Sequence, residues 1–152
     1  MEKKKAKNIL WDIAKLIIPA FVGFLFAYIT FSKQYDATER ARLNDNVNKI
    51  LDLNMQYPFV INNEFINKWS KAPQSNSDSS IRYQTYCTYT FNLLQDIAEY
   101  YKYDKKKIEA YIDVEDLIGQ HKKWWSLPDQ QAPGAYPEEL RKFVDDYFKR
   151  TQ

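Results

Sequence analysis

The sequence predicts an all-α protein, with an N-terminal transmembrane helix followed by a small four- to five-helix bundle. Three observations carry that expectation. The run LIIPAFVGFLFAYITFS, residues 16–32, holds no charge and is bracketed by Lys15 and Lys33. Beyond it, apolar residues recur at spacings of three and four, and no convincing period-two stretch or internal repeat is present. Two polar, proline-containing segments, 71–80 and 126–136, divide the remainder into helical pieces. With 152 residues in all, the chain has room for one modest domain beside the apolar run.

Residues 1–8 read as a basic tail and 9–32 as the membrane helix. As a helix, the uncharged run covers roughly 25 Å, the short end of what a bilayer requires. Extension back to Ile9 adds Trp11, suited to the headgroup zone, and Lys15, whose aliphatic stem reaches outward. A cleaved export signal would place small residues before its scissile bond, whereas this run ends Ala27-Tyr28-Ile29-Thr30-Phe31. A soluble core helix would show a polar face, and none is present. A permanent anchor is therefore expected. Pro19 leaves the Lys15 carbonyl without its helical partner and predicts a mild kink. Gly23 and Ala27, with Ala20 nearby, make a small-residue face at which a second copy of the helix can approach closely in lipid. Five lysines against Glu2 and Asp12 precede residue 33 and favour a cytoplasmic N-terminus with the body outside. Lys33, Arg40, Arg42 and Lys49 nearly cancel that lean.

Residues 33–152 read as the helical-bundle domain. Leu43, Val47, Ile50, Leu51 and Met55 give an amphipathic helix over 35–55. It is continuous with the anchor, since no Gly or Pro intervenes, and Pro58 stops it. Asn62 or Asn63 caps a short helix bearing Phe65, Ile66 and Trp69. Over 81–103 the stripe Tyr83, Cys87, Thr90, Leu94, Ile97 and Tyr101 is the strongest in the body. Tyr86, Phe91, Leu93 and Ala98 widen it, so this helix is expected at the bundle's centre. Ile108, Tyr111 and Ile112 mark a further piece. Asp113 caps the next helix, with Val114, Leu117, Ile118 and Trp125 inward. The last helix has Pro137 at its first turn, Glu138 and Glu139 at its positive end, and Lys149 and Arg150 at its negative end.

No catalytic, cofactor-binding or metal-ligating set emerges from these residues. Beyond residue 32, 17 basic side chains meet 18 acidic ones, a balance that argues against nucleic acid as a partner. Cys87 is the only cysteine, which excludes an intrachain disulfide and a cysteine-based zinc site. His121, the only histidine, has Leu117 and Ile118 as its helical neighbours and no orienting acid, so a partly exposed structural role is expected. The carboxylates of Asp113, Glu115 and Asp116 lack the spacing and turn glycine of a calcium loop and suit helix capping. Twelve Tyr, nine Phe and four Trp point to a small core of large side chains, or to a protein-binding patch. On one regular helix Trp125 would face inward, and Trp124, at the margin, would be exposed to a partner or the membrane surface. The function expected is that of a membrane-tethered, non-catalytic protein-interaction module: a subunit, sensor or regulator of a membrane-associated complex. An apolar-ligand-sensing bundle ranks second and an enzyme third.

The order NKILDLNMQYP, IRYQTYCTYTFNLLQDIAEYYKYDKKKIEAYI, a Trp-containing helix and YPEELRKFVDDYF resembles an uncharacterised family of bacterial single-pass membrane-anchored small α-helical proteins. Many members carry an acidic residue soon after the Asn of the central helix; here Asn92 is followed by Leu93, Leu94 and Gln95. The resemblance implies the same anchor-plus-bundle fold. It implies no activity and no functional residue.

Overall fold

With no glycine or proline between residues 24 and 57, nothing interrupts the helix ahead of Pro58. The first element, α1, accordingly runs Glu2–Gln56 and passes through Pro19. The computed structural model describes residues 2–71 and 77–150, with side chains at Lys15 and from residue 17 onward. Trp11, the lysines of the tail and the middle of the 71–80 segment lie outside the described side chains. Two units are distinguished, Met1–Ala41 and Arg42–Gln152.

In the first unit the described apolar side chains are all open: from Ile17 to Tyr35 the large ones are 41% to 74% exposed. By length and composition this stretch is able to cross a membrane. A polar end follows, where the Thr38 hydroxyl donates to the Gln34 carbonyl at 2.9 Å and Arg40 pairs with Asp36 at 3.6 Å. Residues 33–41 fall in the first unit, and the second begins at Arg42. Among the described side chains Leu43 is the first that is fully buried.

The second unit takes the remainder of α1 and then short helices around one long one. A 3₁₀ turn, Pro58–Ile61, leads to α2, Asn63–Trp69. Next come α3, Asp78–Tyr100, α4, Lys105–Tyr111, and α5, Val114–Ile118. A second 3₁₀ turn, Gly119–His121, separates α5 from α6, Lys122–Trp125. The chain closes with α7, Pro128–Gln131, and α8, Glu138–Arg150. No strand occurs among the described residues. The start signals act where the sequence places them. Asn62 Oδ1 accepts from the Phe65 N–H at 3.0 Å, and Asp113 Oδ1 accepts from the N–H groups of Glu115 and Asp116 at 2.9 and 3.1 Å. Each such cap satisfies donors that a helix start leaves orphaned.

α3 is the centre. Tyr83, Cys87, Thr90, Leu94 and Ile97 are buried along one face, and Tyr86, Phe91, Leu93 and Ala98 extend burial to both sides. Each fully enclosed Leu, Ile or Phe there contributes about 1.5–3 kcal/mol of transfer free energy. Leu43 and Ile50 of α1, and Leu140, Val144 and Phe148 of α8, join the same cluster. The rim is tied by phenols: Tyr111 donates to Asn44 Oδ1 at 2.7 Å, Arg82 donates to the Tyr57 hydroxyl at 2.7 Å, and Tyr147 donates to Glu115.

Two expectations are corrected. Trp124 is 1% exposed, not open to a partner, and Trp125 is 2% exposed. Both stack on Phe91, with ring centroids 5.1 and 4.8 Å away. The 3₁₀ turn at Gly119–His121 breaks the regular helix on which their opposed directions were reckoned. His121 is likewise 2% exposed instead of partly open, because that turn carries it beneath α3.

Candidate functional site

The chemistry-bearing side chains fall into a sealed cluster and an open groove. In the cluster, the Tyr83 hydroxyl lies 2.9 Å from His121 Nδ1, and the Cys87 thiol is buried one turn further along the same face of α3. The Tyr86 ring meets the imidazole edge-on at 5.5 Å. Trp69 packs on Tyr83 at 4.7 Å and donates its indole N–H to Ser80 Oγ at 3.0 Å. α3 supplies the tyrosines and the thiol, α2 supplies Trp69, and the 3₁₀ turn supplies the imidazole.

Burial alone lowers His121 from 6.5 to about 4, so it is a neutral imidazole at pH 7. Burial also holds the Tyr83 phenol and the Cys87 thiol well above their ordinary values. A nucleophile needs an accessible, activated form, and this thiol is both buried and protonated. The three groups are buried and present no reacting atom to solvent.

The groove runs between α1 and α3, with a volume of about 530 Å³. Ile50 and Leu93 form its buried base, while Asn46, Thr88, Tyr89 and Asn92 stand along it. Tyr89 is 53% exposed, an open aromatic ring beside a cleft. At one end Asp96 accepts from Arg42 at 2.8 Å and from Asn46 at 3.4 Å, so its charge is compensated inside the body. The lining is amide, hydroxyl and phenol, suited to hydrogen bonding with a neutral or weakly polar surface rather than to holding an ion. A smaller groove of about 220 Å³ adjoins Val47, Leu51 and Tyr86, where Asn54 keeps a buried amide oxygen without a hydrogen-bond partner.

The sequence-predicted site residues are not brought together. Gly23 and Ala27 sit exposed on α1 in the first unit, and nothing lies within 4 Å of a Cβ built at Gly23. Trp124 is core. The α1–α3 groove was not anticipated. Its signal is a second stripe on α3 with the spacing three, four, three, four: Arg82 is followed by residues 85 (Thr), 89 (Tyr), 92 (Asn) and 96 (Asp). Its uncharged centre stands out in a chain with 28% charged residues, because exposed helix faces are normally charged. Among the described residues no group of three or more His, Cys, Asp or Glu could hold a metal ion. Comparison with family models, curated proteins and solved structures returns no match, so the family resemblance rests on the quoted motifs alone.

Proposed function

We propose that this chain is a membrane-tethered, non-catalytic helical module that acts through protein contacts as a subunit, sensor or regulator of a membrane complex. The observation that carries the reading is the open apolar surface of α1 from Ile17 to Tyr35, set against a body that closes its own core. So much exposed apolar surface has no stable place in water, and a continuous helix is the form in which a chain satisfies its backbone inside lipid. The lysine excess before the run favours a cytoplasmic N-terminus and an outward body. Gly23 and Ala27 offer the face for pairing with a second anchor. For the body, the α1–α3 groove with Tyr89 is the contact surface best suited to a partner, since Tyr is enriched and charge depleted in interfaces. The second reading, an apolar ligand inside the bundle, is less well supported because Phe91, Trp124, Trp125 and Tyr83 fill the interior with packed rings.

The test is crosslinked recovery from native membranes, comparing the natural chain with Tyr89→Ala. The natural protein should resist carbonate extraction, retain its N-terminal lysines and recover a partner that the variant loses. A mature chain beginning near Ser32, or unchanged recovery with Tyr89→Ala, would overturn the tether or the groove respectively.

A further inference from the structure

We infer that His121 is an acid-sensitive latch that holds the α5–α6 segment against α3 when neutral and releases it when protonated. The inference concerns the body alone and stands whether or not α1 crosses a bilayer.

The geometry leaves a protonated imidazole without support. From α3, the groups facing His121 are the Tyr83 hydroxyl at Nδ1 and the Tyr86 ring, and the Cys87 thiol is buried one turn beyond Tyr83 on the same helix. From α2, Trp69 and Phe65 reach Tyr83 with apolar ring surface. Among the charged groups of the packed elements, the Glu115 carboxylate lies over Gly119 of the same turn and accepts from the Tyr147 hydroxyl. Glu64 and Lys68 of α2, Glu115 and Asp116 of α5, and Lys123 are exposed. Arg82 of α3 pairs with Asp78 at 2.7 Å. Lys122 lies 3.4 Å from the Phe148 carbonyl oxygen, and as a cation it opposes a second positive charge nearby. Among the described residues no carboxylate pairs with His121 or hydrogen-bonds to it, and a buried unpaired charge is among the costliest groups to hold.

Protonation also fixes the direction of this hydrogen bond. Neutral Nδ1 is able to accept from the Tyr83 O–H. In the imidazolium both ring nitrogens are donors, so the phenol must accept and its own proton must find another acceptor inside the buried cluster. Burial and bonding therefore act in the same direction. His121 sits in the 3₁₀ turn that joins α5 to α6, two elements of five and four residues. Elements this short depend on docking rather than on their own helical stability. Loss of the His121 anchor frees them and uncovers Phe91 and both indoles.

The sign follows from the lowered value. A histidine lowered in the closed form contributes stability above 6.5, and that contribution fades as pH falls towards 4. Linkage between those two values moves the open-to-closed ratio by about 20-fold from pH 7 to pH 5.

Because His121 is the only histidine, ¹³C-labelled histidine in the full chain, held in dodecylmaltoside micelles, reports one imidazole. Hydrogen exchange of the same sample, corrected for intrinsic rates, reads the opening. The latch predicts an imidazole that stays neutral to below pH 5 and exchange over 114–125 that rises about 20-fold between pH 7 and pH 5. It also predicts that His121→Gln, whose side chain remains neutral and still accepts from Tyr83, abolishes the pH dependence. An imidazole titrating near 6.5 with those amides unchanged would overturn it. So would a pH dependence that persists in His121→Gln, or exchange that rises equally over 42–56 and 138–150. Should His121→Gln fail to fold, the natural chain's imidazole and regional exchange still decide between these outcomes.

Discussion

Trp124 and Trp125 share a ring to stack on yet differ in what else encloses them. Trp125 donates its indole N–H to Asp145 Oδ1 at 2.8 Å and rests against Tyr136 at 5.0 Å, so α8 and the preceding loop complete its surroundings. Trp124 lies nearly parallel to Phe91, at 18°, and is among the largest fully buried side chains. Truncation of either indole removes a large volume from the same packed site. Trp124→Ala and Trp125→Ala should each destabilise the body by about 3–5 kcal/mol in chemical denaturation. The double variant should cost less than the sum, because both lose the same Phe91 partner. A Trp124→Ala variant that melts like the natural protein would contradict this packing.

α3 ends in a way that propensity does not suggest. The Tyr103 N–H donates to the Ala98 carbonyl at 2.7 Å and the Lys102 N–H to that of Glu99 at 3.0 Å, the paired bonds of a Schellman cap. The cap requires a left-handed residue after the helix, a position usually held by glycine. Here it is Lys102 at φ 53°, followed by Tyr103 at φ 58°. Two consecutive side-chain-bearing residues in that region carry strain of about 1–2 kcal/mol each. Lys102 is exposed, so its side chain has little packing to lose. Lys102→Gly should therefore raise stability by up to about 1 kcal/mol, measured by urea denaturation, even though glycine loosens the unfolded chain. Tyr103 is half-buried and packed on the core, so the matching change there should be destabilising.

Every buried described residue belongs to the second unit, from Leu43 onward. Removal of residues 1–41 should leave the melting of the body unchanged within a few degrees while abolishing membrane sedimentation. A large drop in melting temperature on truncation would mean that the first helix supports the core.

Helical character, the stop at Pro58, the caps at Asn62 and Asp113 and the buried stripe of α3 were all legible in the chain. Their causes lie within about four residues, where spacing and side-chain type are sufficient. The start of the second unit at Arg42 was less legible, because amphipathic spacing from 35 onward does not say where a partner surface begins. The burial of Trp124 and His121 was not legible at all. Both depend on a short 3₁₀ turn that interrupts the helix, and on Phe91 and Tyr83, more than 30 positions earlier, closing over them. The α1–α3 groove has the same origin: each helix carried its own polar residues in plain sight, but a cleft exists only once two distant helices are packed side by side.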